Sequence, residues 1–136
     1  MAMVPELLVS DLARSLRFRC DLCGFTLDYV RPEEGFAMLR REDARVMPES
    51  VDTPGRKWIT GTLASPFGRG VNVPIGVSDL SLLLMALHAA SWPLFLGLEE
   101  TRYRGGDVTF GQCQALVQDP DGYLLRFEQT LGTRPA

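Results

Sequence analysis

The sequence predicts an α+β fold of two tandem βαβββ modules, and three observations carry that prediction. Val9-Ser10-Asp11-Leu12 recurs as Val77-Ser78-Asp79-Leu80, 68 residues later in a chain of 136. Each copy follows a short apolar strand and opens a helical stretch, with Ser expected as N-cap and Asp in the first turn. After each helix come three strand-like runs separated by turn residues. A four-residue identity alone is weak evidence of duplication. The same context twice, at half the chain length, is the mark of an internal repeat.

In the first module, strand periodicity covers about 3–9 and a helix about 11–23, stopped by Gly24. Strands follow near 25–31, 36–41 and 44–49, parted by Pro32-Glu33-Glu34-Gly35 and by Glu42-Asp43. The second module repeats this order: a strand at 71–77, a helix at 79–91 stopped by Trp92-Pro93, then strands near 95–103, 110–118 and 123–129. The chain reads as one domain, 1–136, with modules at 1–50 and 71–130 and a connecting loop at 51–70. That loop is long for a compact domain, and long ordered loops are often functional. Trp58 and Phe67 favour a loop that packs or binds over a slack linker.

The two helices differ in pattern. In the first, Leu12, Leu16, Cys20 and Cys23 form the apolar face and Arg14, Arg17 and Asp21 an exposed stripe. The second is apolar nearly all round, with only Ser81 and His88 as a polar stripe. Such a helix is expected to be covered on most sides, by its own sheet and by a second subunit.

A net charge of −3 argues against a nucleic-acid partner, which needs a basic patch. No signal-peptide pattern opens the chain, and its most apolar run, 80–87, is too short to span a bilayer. Three cysteines, an odd number, suit a reducing cytoplasm. The expectation is a cytoplasmic protein with no membrane partner.

Most candidates for chemistry have a plainer account. Cys20-Asp21-Leu22-Cys23 has redox spacing but sits at a helix C-terminus, where the macrodipole disfavours a thiolate. A zinc site would need two further ligands, and only Cys113 and the single histidine, His88, remain. Buried small residues describe the cysteines better, and His88 reads as a surface residue. Neither a nucleophile elbow nor a glycine-rich phosphate loop occurs. Glu6, Glu49 and Glu128 gain interest together, because strands curled around one cavity would bring three carboxylates to it. In the last strand, Tyr123, Leu125 and Phe127 share one face, and Leu124, Arg126 and Glu128 the other.

With the repeat in place, the chain resembles the vicinal oxygen chelate superfamily, which includes glyoxalases, extradiol dioxygenases and bleomycin-resistance proteins. The segments that carry the resemblance are LLVSDLARSLRFRCDLCGF (7–25), GVNVPIGVSDL (70–80) and LVQDPDGYLLRFEQ (116–129), and the pattern spans nearly the whole chain. It implies a glyoxalase/bleomycin-resistance fold, in which each module is a curled mixed sheet and the two form a cleft. Metal-using members take His or Glu ligands from the first and last strands of each half. Matched by motif, those positions are Val4, Met47, Asn72 and Arg126. None is a good metal ligand, and Arg126 repels a cation. Sliding every strand by two residues gives instead Glu6, Pro74, Glu49 and Glu128, whose three carboxylates, Glu6, Glu49 and Glu128, are the fallback set for a metal-dependent member.

The resemblance therefore implies the bleomycin-resistance branch: no cofactor, no catalytic residue, and a homodimer that sequesters a small cationic or mixed-polarity ligand in clefts between subunits. The expected ligand-binding residues are Trp58 and Phe67 for stacking, Asn72 and Arg126 for hydrogen bonds, Glu49 and Glu128 for cationic groups, and Met47 as lining. The rival expectation is a metal-dependent lyase, thiol transferase or dioxygenase of the same superfamily.

Overall fold

The structure, a computed structural model, describes residues 2–136. It contains two four-stranded mixed sheets of the same topology. In the first module β1 (Glu6–Val9) lies parallel to β4 (Ala44–Ser50), followed by antiparallel β3 (Phe36–Arg41) and β2 (Thr26–Arg31). In the second, β5 (Asn72–Gly76) lies parallel to β8 (Leu124–Pro135), followed by antiparallel β7 (Val108–Gln118) and β6 (Leu96–Gly105). The βαβββ reading holds in both halves. Each first strand pairs with the last of its module because the intervening helix carries the chain across the sheet, which only a parallel return allows.

One face of each sheet packs inward. Leu7, Val46, Ala37 and Leu39 from the first sheet and Ile75, Leu125, Phe127 and Val117 from the second belong to one continuous core. The helices close it. Phe18 meets Trp92 across the modules with ring centroids 4.8 Å apart.

The first helix departs from the expected single α-helix over 11–23. A short α1 (Leu12–Leu16) runs directly into a π-helical segment (Arg17–Leu22), where the Cys23 amide donates to the Phe18 carbonyl. A π turn takes in one extra residue and shifts the inward face. Ser15, Phe18, Arg19 and Cys23 are therefore buried, while Leu12, Leu16 and Cys20 are half-buried. Arginine at position 19 is inside, with 1% of its surface exposed.

The caps also differ from expectation. Asp11, not Ser10, caps α1, accepting from the Arg14 amide, and Asp79 accepts from the Ser81 amide ahead of α2 (Ser81–Ala89). The two Ser amides are used between modules instead. The Ser10 amide donates to Asp121 in the β7–β8 turn at 3.1 Å, and the Ser78 amide donates to Glu42 in the β3–β4 turn at 3.0 and 3.1 Å. Each module thus ties down the helix entry of the other.

The second helix is not covered all round. Leu83 and Leu87 are buried, but Leu82 and Met85 are 72% and 65% exposed within the single chain. β8 runs to Pro135, well past the expected end at 129, because backbone pairing with β7 continues down to Val108 and Pro135 after the apolar alternation stops. No described helix is long and apolar enough to cross a membrane.

Candidate functional site

Strand alternation leaves each sheet an open face, turned away from the common core. On the first sheet that face carries Glu6, Leu8, Met47 and Glu49, with Phe36 and Met38 beside them. Glu49 is not free: Lys57 from the loop reaches it at 3.1 Å and also bonds Thr53, and both members of the ion pair are nearly buried. Glu6 is held above its ordinary carboxyl value, first by burial and then by its hydrogen bond to Glu49 and that neighbour's charge, with Lys57 and Arg31 opposing. Arg31 lies over the Phe36 ring at 3.9 Å, a cation–π contact that covers this end of the sheet.

The open face of the second sheet is a polar ladder across three strands. Glu99 on β6 accepts from Gln114 on β7 at 2.7 Å, and the Gln114 carbonyl accepts from Gln112 at 2.9 Å and from Tyr103 at 3.2 Å. Gln112 also donates to Glu128 on β8 at 3.2 Å. Arg126 stands one step along the strand from Glu128, with Nη1 3.9 Å from its carboxylate. The Arg126 Nε is shut off from water and has no hydrogen-bond partner among the described residues. Asn72 opens β5 opposite Leu124 and is exposed.

The connecting loop forms a third wall. Residues 58–64 and 66–69, with Glu6, Leu8 and Tyr123, border an open cavity of about 430 Å³. The far end of the loop is pinned to the β7–β8 turn. The Phe67 amide donates to the Asp121 carbonyl at 2.8 Å, and Phe67 packs edge-on against Tyr123 at 5.9 Å. Gly68, at φ 70, is required there, since a Cβ would stand 2.5 Å from the Tyr123 ring. Trp58 is 73% exposed, with the Arg56 guanidinium 4.8 Å from its ring centre.

The expected site residues thus fall into separate groups. Met47 and Glu49 share the first open face with Glu6, Asn72, Arg126 and Glu128 share the second, and Trp58 and Phe67 sit on the loop. Val4 precedes β1. Among the described residues no three His, Cys, Asp or Glu side chains gather closely enough to hold a metal ion, so Glu6, Glu49 and Glu128 make no common site within one chain. Sequence reasoning missed Lys57 and the Gln112–Gln114 ladder. A signal for the ladder existed: two glutamines at period two in an otherwise apolar strand mark one polar face.

Comparison with known proteins now adds to the geometry. No protein-family model matches the chain. It is 28% identical over 130 residues to bleomycin resistance proteins of Geobacillus stearothermophilus and Staphylococcus aureus, covering 94% of this chain and 96% of theirs. The crystal structure of TioX from Micromonospora sp. ML1 superposes with a TM-score of 0.74 at 25% identity, over 96% of this chain and 99% of TioX. These likenesses support the vicinal oxygen chelate superfamily and, within it, the bleomycin-resistance-like branch. A lactoylglutathione lyase from Agrobacterium tumefaciens shares the superfamily fold at a TM-score of 0.61 and 14% identity, covering 95% of this chain and 92% of the lyase.

Proposed function

We propose that this chain is a metal-independent binding protein of the bleomycin-resistance type, which as a cytoplasmic homodimer sequesters a small ligand of cationic or mixed polarity. The observation that carries the reading is the identity of the residues matched to the superfamily's metal-ligand positions. By the motif match these are Val4, Met47, Asn72 and Arg126, and a guanidinium stands where metal-using members place a carboxylate. The end-to-end likeness to proteins named for bleomycin resistance supports the same reading.

In this reading protection comes from occlusion. Aromatic and apolar surface from Trp58, Phe67 and Met47 receives the flat parts of the ligand, and Asn72 and Arg126 fix its polar groups. Glu49 is paired with Lys57 at 3.1 Å and Glu128 more loosely with Arg126 at 3.9 Å, so Glu128 keeps the larger share of any attraction for a cation. The two open faces lie on different sheets. A second subunit that sets one against the other would give the cleft both walls.

Titration with bleomycin, followed by tryptophan fluorescence, tests the proposal, and W58F assigns the signal between Trp58 and Trp92. A saturable change that W58F removes is the expected result. No saturable change up to about 100 µM would overturn bleomycin-type binding. Elemental analysis of protein purified without chelator tests metal independence. Stoichiometric manganese, iron, nickel or zinc would overturn it.

A further inference from the structure

The loop cavity holds one carboxyl group to which the binding reading gives no role. Among the residues that line it, only Glu6 and Arg69 are charged, and both are exposed, so a ligand in the cavity reaches them. Arg69 is engaged by the loop itself: its Nε and Nη2 donate to the carbonyls of Pro66 and Ser65 at 3.2 and 2.8 Å. The Tyr123 hydroxyl is spent as well, donating to the Leu8 carbonyl at 2.8 Å. Glu6 is different. The two cations that act on it, Lys57 and Arg31, are bonded to other carboxylates, Lys57 to Glu49 at 3.1 Å and Arg31 to Glu34 at 2.6 Å. Glu49 is the diagonal neighbour of Glu6 on β4, since Glu6 stands opposite Met47 and Leu8 opposite Glu49. Two adjacent carboxyl groups thus have one ammonium between them, and the one left over faces the cavity.

We infer that Glu6 is the seat for a protonated amine on a flat, mostly apolar ligand held in the loop cavity, and that the arriving amine displaces a proton from the Glu6–Glu49 pair to solvent. The inference rests on the small-molecule-binding reading above and deepens it with a second cation seat, in a cavity that Glu128 does not line. An ammonium brings the charge and the N–H donors that Glu6 lacks, and an opposite charge at hydrogen-bond distance favours the ionised carboxyl. The walls suit the rest of such a molecule: Leu8, Leu63 and Phe67 are apolar, and the exposed Trp58 indole offers a flat surface. A volume of about 430 Å³ admits a one- or two-ring amine, or one arm of a larger drug. Proton and amine then compete for the same oxygens. With Glu6 held above its ordinary carboxyl value by burial and by Glu49, amine binding strengthens as pH rises through the folded value and levels off beyond it.

The probes are phenethylamine and its neutral analogue phenethyl alcohol, each titrated to about 20 mM, a range suited to a fragment-sized ligand. The reporter is the side-chain carboxyl carbon of Glu6 in a ¹³C spectrum, identified by its loss in E6Q. The expected result is a saturable shift of that carbon with the amine, and amine binding about tenfold tighter at about pH 7 than at about pH 4. E6Q keeps the shape of the side chain without its charge. Followed through the backbone amides of β1, the amine should bind E6Q as weakly as the alcohol does, with the pH step gone. A Glu6 carbon unmoved by the amine, the alcohol binding the wild type as tightly, or a pH step that survives in E6Q would each overturn the seat. Bleomycin titration of the same samples separates the two ideas. Drug binding undiminished in E6Q sinks only the amine seat, whereas amine binding at Glu6 without drug binding upholds the seat and overturns the bleomycin-type reading.

Discussion

Arg19 and Asp119 form an ion pair at 2.7 Å with side chains 1% and 0% exposed, joining the first helix of one module to the β7–β8 turn of the other. Ser15 accepts from the second guanidinium nitrogen at 2.6 Å. On the far side, Asp119 Oδ1 accepts from the amides of Asp121 and Tyr123. Both charges thus have hydrogen bonds beyond the pair itself, the condition under which a buried pair persists.

Removing one partner should then hurt far more than removing both. Asp119→Ala strands a guanidinium in the core and is expected to cost about 3–5 kcal/mol in urea unfolding, while the double variant R19M/D119L recovers most of that loss. A D119A midpoint close to wild type would mean that the pair does not hold the modules together.

The Glu6–Glu49 contact makes stability depend on pH in a stated direction. The folded state holds Glu6 above the ordinary value of 4.5, so folding favours its protonated form. The favourable contribution is complete below the unfolded value and disappears as pH rises through the folded one. Glu6→Gln keeps the neutral form at all pH values. It should raise the melting temperature at pH 7, by the equivalent of roughly 0.5 kcal/mol or less given solvent screening, and the gap should close below about pH 4. A gap constant from pH 4 to 7 would show that ionisation of Glu6 is not involved.

The cysteines offer a kinetic prediction. Burial pushes the Cys23 thiol up to about 12 and raises Cys20 as well, and all three cysteines are free. At pH 8 an aromatic disulfide reagent should modify Cys23 roughly a thousandfold more slowly in native protein than in urea. Fast labelling of both Cys20 and Cys23 would restore the redox reading of this C-x-x-C.

Much of the architecture was legible because duplication and periodicity are local properties. The βαβββ order, the faces of β8 and the inward cysteines all follow from the VSDL repeat, period-two alternation and turn chemistry. The cap residues were misread because both Ser10 and Asp11 are good cap formers, and the choice turned on what else was near. Ser10 has Asp121 facing it from another module, which no window of sequence contains. The π turn escaped notice for a similar reason: it contains a buried arginine whose partner lies 100 residues away.

Asp-Pro-Asp-Gly shows the division most clearly. By itself the tetrapeptide specifies a tight turn and a strand beyond it, since proline fixes φ and glycine accepts the left-handed region. Only the tertiary structure makes that turn the junction of the molecule, with Asp119 on Arg19, Asp121 on Ser10, and Gly122 leaving room for the backbone of Pro66. The sequence alone likewise placed Arg126 and Glu128 on one strand face. That the Arg126 Nε lacks a partner among the described residues while Lys57 neutralises Glu49 was decided by packing, because ion pairs and orphaned donors depend on distances that the order of residues does not give.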